Sequence, residues 1–209
     1  MHARQRLVFA SHNPHKIQEI SDILGPQLAV TGLTELGCFE EIPEPYDTLE
    51  ENAMAKARYI YDTYQVDCFA DDTGLEVDAL GGQPGVRSAR YAGAEKNSQA
   101  NVSKLLTELS GISYRRARFR TVIALVMQGR VYLFEGIVKG VISHVPTGEK
   151  GFGYDPVFIP DGYDKSFAEM DAELKNKISH RKMAISKLVD FLKIFSSAPG
   201  EGLFDENRE

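Results

Sequence analysis

An α/β domain built on a mixed, twisted sheet with flanking helices is the fold class this sequence predicts, and three stretches predict it. Leu7 to Ala10 is a short apolar run that passes through the polar loop Ser11-His12-Asn13-Pro14-His15-Lys16 into a segment whose Ile17, Ile20 and Leu24 recur at helical spacing. A second apolar run, from Val66, ends in Asp71-Asp72-Thr73-Gly74 after another helical segment. Phe119 to Met127 and Val131 to Ile142 flank Gln128-Gly129, a hairpin signal, so an antiparallel pair joins strands that helices connect in parallel.

In chain order, Pro14 suits the first turn of the first helix and Asn13 its cap, and the free amides there, with Lys16 nearby, offer an anion site, a merely capped helix being the competing reading. Gly25-Pro26 closes that helix and Leu28 to Thr31 is a second strand. If the strands ending at Ala10 and Asp71 are parallel neighbours, the loop and the two acids meet beyond their carboxyl ends, where open α/β sheets collect ligands. Residues 40 to 51 carry Glu40, Glu41, Glu44, Asp47, Glu50 and Glu51, interrupted by Pro43 and Pro45. Most of these acids read as a solvated loop, while one or two are available to complete a hard-cation site with Asp72. Thr48 and Glu51 form a capping box, and Leu49, Ala53, Ala57, Ile60 and Tyr64 mark the buried face of the next helix.

Side chains alternate faces along a strand, so Asp71 and Asp72 serve one site only if the strand ends there and Gly74 lets the backbone turn. Leu75, Val77 and Ala79 then read as a separate half-exposed strand that stops at Gly81-Gly82. Asn97 or Ser98 caps a helix with Leu105, Leu106 and Leu109 inside and Gly111 at its end. Arg115, Arg116, Arg118 and Arg120 give the hairpin a basic start that reads as a solvated edge. In Gly151-Phe152-Gly153-Tyr154-Asp155-Pro156 the glycines let the backbone approach a flat ligand while a ring stacks upon it; core packing of the rings is the competing reading. Lys175, Lys177, Ser179, His180, Arg181 and Lys182 form a concentrated positive patch, with Ser179 capping a last helix striped by Ala184, Ile185, Leu188, Leu192 and Phe195. Cations in a first helical turn oppose the helix dipole, so His180 and Arg181 ask for an anion or an acceptor-rich ligand, with surface solvation as the alternative. From Ser196 onward the composition reads as a disordered tail, which leaves 1 to 195 as one domain.

The 209 residues suffice for one domain or two closely joined lobes. A net charge of -6 argues against an unspecific polyanion binder, although a local basic cluster leaves anionic small molecules open. Cys38 and Cys68 lack metal-ligand spacing and read as reduced core thiols. The longest apolar runs fall short of a signal or membrane segment, so a cytoplasmic protein is expected, with neither nucleic acid nor membrane as partner.

Ser11-His12-Asn13-Pro14-His15-Lys16, Ala70-Asp71-Asp72-Thr73-Gly74-Leu75, Leu80-Gly81-Gly82-Gln83-Pro84-Gly85-Val86, Ser88-Ala89-Arg90-Tyr91, Gly151 to Pro156 and Ile178-Ser179-His180-Arg181, in that order, together resemble the inosine/xanthosine triphosphate pyrophosphatases. The resemblance implies two lobes around a central cleft, a homodimer, and Mg²⁺-dependent hydrolysis of ITP, dITP and XTP to the monophosphate and pyrophosphate. It makes Ser11, His12, Asn13, Pro14, His15 and Lys16 the triphosphate-binding loop, although His12 and His15 replace residues that are often small in the family. Asp72 matches the catalytic acid and metal ligand, and Thr73 keeps the hydroxyl of the usual serine. Phe152, Gly153, Tyr154 and Asp155 match the base-binding loop, Lys175 a substrate lysine, and His180 with Arg181 the base-reading pair, which would offer donors to the purine oxygen at position 6. Glu44 and Glu41 are both candidates for the second metal ligand, with Glu40 not excluded. A non-catalytic nucleotide sensor would need the same loops. A pyrophosphatase for modified pyrimidines is the nearer rival, against which Ser179-His180-Arg181 argues.

Overall fold

The computed structural model describes residues 6–24 and 29–197. Strand β1 (Arg6–Phe9) runs into helix α1 (Pro14–Leu24), and the chain returns through β2 (Ala29–Thr31), the short α2 (Leu33–Leu36) and the long α3 (Leu49–Tyr64). Then come β3 (Cys68–Val77), the two-residue β4 (Pro84–Gly85), α4 (Ser98–Glu108) and the hairpin of β5 (Arg116–Met127) and β6 (Arg130–Ile142). The chain closes with β7 (Phe158–Pro160), α5 (Ala172–Ile178) and α6 (His180–Ser197). One sheet has the order β2-β1-β3-β5-β6-β7, with β4 on β3. The pairs β1 with β2 and β1 with β3 are parallel and all others antiparallel, so the expected mixed sheet and the expected neighbours are both present. Gly25, Pro26 and Leu28, and the tail beyond Ser197, lie outside the described residues.

Three cores hang on the long strands. Phe9, Phe69, Ile123 and Leu125 meet Ile20 of α1 and Ile185 and Leu188 of α6 on one face. Ala70, Cys68, Val122 and Ala124 meet Ala53, Ala57 and Ile60 of α3 on the other. Away from these, Leu75 of β3, Phe119 of β5, Val138 of β6 and Phe158 of β7 join Leu105 of α4 and Leu109, its C-cap, in a third. The Thr48 hydroxyl accepts from the Glu51 amide and Asn97 from the Ala100 amide, so the expected caps of α3 and α4 are in place. Both cysteines are buried and free. Among the described residues no helix is long and apolar enough to cross a membrane.

Two expectations fail for a shared reason. β3 does not end at Asp71-Asp72: every residue from Cys68 to Val77 pairs with β5, so Leu75 and Val77 continue that strand, and Ala79 lies in the 3-10 turn after it. Gly74 makes no turn; a Cβ there would lie 2.6 Å from the Gly85 carbonyl oxygen, so the glycine makes room for β4. Nor do the arginines form a solvated edge, because β5 is interior, between β3 and β6. Arg115 is buried and donates to the Leu109, Ile142 and Ser143 carbonyls, Arg116 grips Asp161 through both terminal nitrogens at 2.7 Å, and Arg118 and Arg120 pair with Glu76, Glu50 and Glu135. Local pattern does not reveal which strand a distant hairpin will cover.

The start of α6 crosses β6 at Gly136. A Cβ there would stand 1.9 Å from the His180 carbonyl oxygen and 2.7 Å from the Ala184 amide nitrogen, both of them backbone atoms. Gly136→Ala must therefore push α6 off the sheet, a loss of about 1–3 kcal/mol by the usual cost of overpacking. Urea denaturation measures it; an unchanged midpoint would mean that the helix start is not held by this contact.

Candidate active site

A cleft of about 330 Å³ opens between the Ser11 to Lys16 loop, the acidic loop, β3, and the segments around Phe152 and His180. It lies within the range of about 300–1,000 Å³ usual for small-molecule sites. Its lining holds five cationic side chains, Lys16, Lys56, Lys96, Lys175 and Arg181, against four acidic ones, Glu41, Glu44, Asp72 and Asp155. So nearly balanced a lining does not by itself neutralise a polyanion such as a triphosphate.

Because β3 is continuous, its two adjacent aspartates point to opposite faces of the sheet. Asp71 shares the α1 and α6 face with Phe69 and is only 1% exposed. Its Oδ1 accepts from Lys16 Nζ at 2.8 Å, its Oδ2 lies 3.4 Å from Nε and one terminal nitrogen of Arg181, and it accepts from the Thr73 hydroxyl at 3.2 Å. Burial pushes its pKa upward, but the Lys16, Arg181 and Lys56 charges overcome that and hold the carboxyl well below the usual range. Arg181 is equally buried and also donates to Glu19, whose other oxygen is 3.9 Å from Lys175 Nζ. The cation expected to ask for an external anion is thus already paired inside the protein. Glu19 was not anticipated; a carboxylate three residues from Lys16 and next to the buried Ile20 was its only signal.

Asp72 shares the α3 face with Ala70 and borders the cleft. Lys56 of α3 stands between it and the acidic loop: Nζ is 2.5 Å from Glu44 Oε1, 3.8 Å from Asp72 Oδ1 and 2.6 Å from the Asp71 carbonyl oxygen. Burial raises the Asp72 pKa to about 6, opposed by the Lys56 and Lys16 charges, and its Oδ2 is buried with no hydrogen-bond partner among the described residues. A buried carboxylate oxygen without a donor and an elevated pKa are both signs of unmet positive charge, which fits a hard cation. Among the described residues no three acidic, His or Cys side chains form a ready-made cage. Asp72 and Glu44 both approach one cation, Lys56 Nζ, and Mg²⁺ commonly takes only one or two carboxylates together with water and substrate phosphates. Glu41 sits on the rim, side chain 77% exposed and paired with Lys96, and Glu40 accepts from the Tyr59 hydroxyl at 2.7 Å.

In the first loop the capped-helix reading is the one present. The Asn13 carboxamide oxygen accepts from the His15 and Lys16 amides at 3.0 and 3.3 Å, while Pro14, the first residue of α1, has no amide hydrogen. The cap is correct, yet it occupies the amides that were to receive an anion. Ser11 Oγ accepts from the Asn13 amide, His12 Nε2 lies 3.0 Å from the Glu40 carbonyl oxygen, and the His15 ring stacks on Phe152 at 5.5 Å. At the other end, Asp155 Oδ2 accepts from the Phe152 amide at 2.7 Å and from Lys175 Nζ at 2.8 Å, fixing the Gly153 turn. Phe152 borders the cleft with Lys175 Nζ 4.9 Å from its ring centre; Tyr154 touches the cleft too, but is buried in the third core and donates to the Ser88 carbonyl. Core packing therefore holds for Tyr154, and Phe152 is the ring left at the cleft wall. Ser179 caps α6 through the Lys182 amide, and α5, capped by Asp171, presents Lys175. His180 Nδ1 lies 2.9 Å from the Thr121 hydroxyl.

A family model for the Ham1 family matches residues 7–191. Among relatives, a protein of Flavobacterium johnsoniae named dITP/XTP pyrophosphatase is 52% identical over 187 residues, 90% of this chain and 97% of its own length. One of the same name from Porphyromonas gingivalis is 53% identical over 189 residues, 90% and 97% of the two chains. Of solved structures, the Staphylococcus aureus Ham1 protein superposes with a TM-score of 0.82 at 41% identity, covering 90% of this chain and 98% of that one. A HAM1 protein from Coxiella burnetii gives 0.83 at 35%, covering 91% and 99%.

The elevated Asp72 pKa has a consequence for stability. The folded protein holds this proton more tightly than the unfolded chain, so the contribution of Asp72 to stability falls as pH rises from about 4, the unfolded value, through about 6. Asp72→Asn should accordingly stabilise the protein in EDTA by on the order of 2 kcal/mol at pH 8, and the gain should vanish below about pH 4. Urea denaturation at the two pH values measures it; destabilisation at pH 8 would show that the ionised carboxylate is well satisfied without a cation.

Proposed function

The chain belongs to the Ham1 family, and from that premise we propose that it hydrolyses the non-canonical purine nucleoside triphosphates ITP, dITP and XTP to the monophosphate and pyrophosphate, clearing them from the nucleotide pool. The observation that carries the reading is the composition of the cleft. One lining brings together a ring and hydrogen-bonding groups, Phe152, His180 and Arg181, with the cations Lys16 and Lys56 and the Asp72 carboxylate oxygen that has no hydrogen-bond partner among the described residues.

In this reading Phe152 stacks on the base while Lys16 and Lys56 hold phosphate oxygens. Substrate then replaces part of the ion pairing that Asp71 and Glu44 give these lysines in the free protein. Asp72, ionised, accepts the proton of the attacking water or holds the metal. The water oxygen adds to phosphorus at the α,β linkage, the bridging bond breaks, and pyrophosphate leaves. Held by Asp72 and Glu44, Mg²⁺ would supply charge neutralisation for the phosphates and the leaving group. No nucleophilic side chain is needed, because phosphoryl transfer is mostly positioning and electrostatics. We also infer a homodimer in the cytoplasm with no nucleic-acid or membrane partner; the acidic net charge supports the absence of nucleic acid. Sedimentation analysis tests the dimer.

A turnover panel with product identification tests the activity. Pyrophosphate should appear from ITP, dITP and XTP, with ATP slower by about 10⁴-fold where the base is read by hydrogen bonds. Release of orthophosphate, or ATP turned over as fast as ITP, would refute the proposal. Asp72→Asn should lower turnover of ITP about a hundredfold or more, as loss of a key charge-handling group does.

The metal assignment has its own test. Glu44→Gln should raise the Mg²⁺ concentration for half-maximal activity several-fold, and the rim change Glu41→Gln should leave it unaltered. Equal behaviour of the two would remove Glu44 from the metal site.

A further inference from the structure

His180 has two ring nitrogens, and its protein partners account for one. Nδ1 is 2.9 Å from Thr121 Oγ1; Nε2 has no protein partner among the described residues, and the ring borders the cleft. Whether Nε2 enters the cleft as donor or acceptor depends on which nitrogen carries the hydrogen, and a chain of buried hydroxyls decides it. Thr121 Oγ1 is 2.8 Å from Thr73 Oγ1, which is 3.2 Å from Asp71 Oδ2.

The direction of this chain follows from its anchor. Asp71, clamped by Lys16 and Arg181, is a carboxylate and only accepts. The single Thr73 hydroxyl hydrogen therefore goes to Asp71; pointed at Thr121 instead, it would leave two lone pairs facing each other at 3.2 Å. Thr73 then accepts from Thr121 and, at 3.4 Å, from Arg181. With its own hydrogen spent on Thr73, Thr121 accepts from His180, which must carry its hydrogen on Nδ1. Burial, together with the Arg181 and Lys175 charges, holds the His180 pKa well below its ordinary value, so the ring is neutral and Nε2 is bare.

We propose that Thr121 and Thr73, anchored on Asp71, fix His180 as the Nδ1–H tautomer, so that Nε2 accepts a hydrogen bond from the N1–H of a lactam purine. The proposal rests on the function above and deepens it by naming what the site reads. Hypoxanthine and xanthine present an oxygen at position 6 and N1–H beside it, complementary to a donor from Arg181 and an acceptor from His180. Adenine presents the reverse, an amino donor at position 6 and a bare N1, and opposes both. The role of donor to the position 6 oxygen, expected of both residues from sequence, thus falls to Arg181 alone. Thr121 is a positioning residue: it acts on the base only through His180.

The test has two parts. In ¹⁵N-histidine-labelled protein, long-range ¹H–¹⁵N correlation spectra, with His180 identified by the peaks lost in His180→Gln, should show Nδ1 protonated and Nε2 unprotonated near neutral pH. A ring protonated on Nε2 would overturn the proposal whatever the protein hydrolyses. In kinetics, Thr121→Val removes the hydroxyl at nearly constant volume and should shrink the ratio of kcat/KM for ITP to that for ATP by about tenfold or more, the cost of one unmatched buried hydrogen bond. Thr121→Ser should restore it. An unchanged ratio in folded Thr121→Val would equally overturn the proposal, and if that variant does not fold, the wild-type spectrum decides. Should wild type release pyrophosphate from neither ITP nor XTP, the proposed function fails while the tautomer measurement still stands.

Discussion

The site depends on the burial of Asp71. A carboxylate this deep in the sheet is tolerated only with cations and donors around it, and removal of a partner from such a cluster typically costs about 3–5 kcal/mol. Through its side chain it fixes Lys16 of α1 and Arg181 of α6, and through its carbonyl oxygen Lys56 of α3. One strand residue thus ties helices on both faces of the sheet to a common point. The cations would repel one another without it, and a cleft for phosphates needs them close together before substrate arrives. Fixed in advance, they do not have to be ordered at the moment of binding.

Strand alternation then gives two neighbouring carboxylates opposite tasks. Asp71 lies among cations and is held ionised; Asp72, one residue on and across the sheet, is buried with too few partners, and its pKa rises to about 6. Environments that drive two acids apart in this way single out the one with the raised pKa as the candidate for proton transfer. The same alternation underlies the one clear misreading of the central segment. Asp72 lines the cleft itself, whereas Asp71, on the other face of an unbroken strand, reaches it only through Lys16 and Arg181, which line it.

What was legible in the sequence was local: the strand, loop and helix units, the caps at Asn13, Thr48, Asn97 and Ser179, the hairpin, and the motifs that border the cleft. What was not legible depends on distant pairing. The ten-residue span of β3 is set by β5, about fifty residues later, and the arginines that resemble an edge find acids on strands and helices that local pattern does not place. Lys56 was missed although a signal existed. It falls between Ala53 and Ile60 on the buried stripe of α3, and a lysine in register with an apolar stripe requires a buried partner. Thr121, in the apolar run of β5, carried the same kind of signal more faintly, since a threonine in a strand is ordinary.

The hydroxyl chain from Asp71 to His180 couples two lining residues, Lys16 and His180, that do not touch each other in any hydrogen bond among the described residues. Hydrogen bonds have direction, and an ionised acceptor at one end of a chain of hydroxyls leaves every later member only one way to point. Asp71 therefore holds Lys16 directly and, through Thr73 and Thr121, reaches the ring of His180. Guanine shares both the oxygen at position 6 and N1–H with hypoxanthine, so this pair of groups separates lactam purines from adenine and does nothing against guanine. Discrimination at position 2 must come from a different part of the cleft wall, because its only job is to respond to an amino group, and no group bound to Asp71 is suited to that.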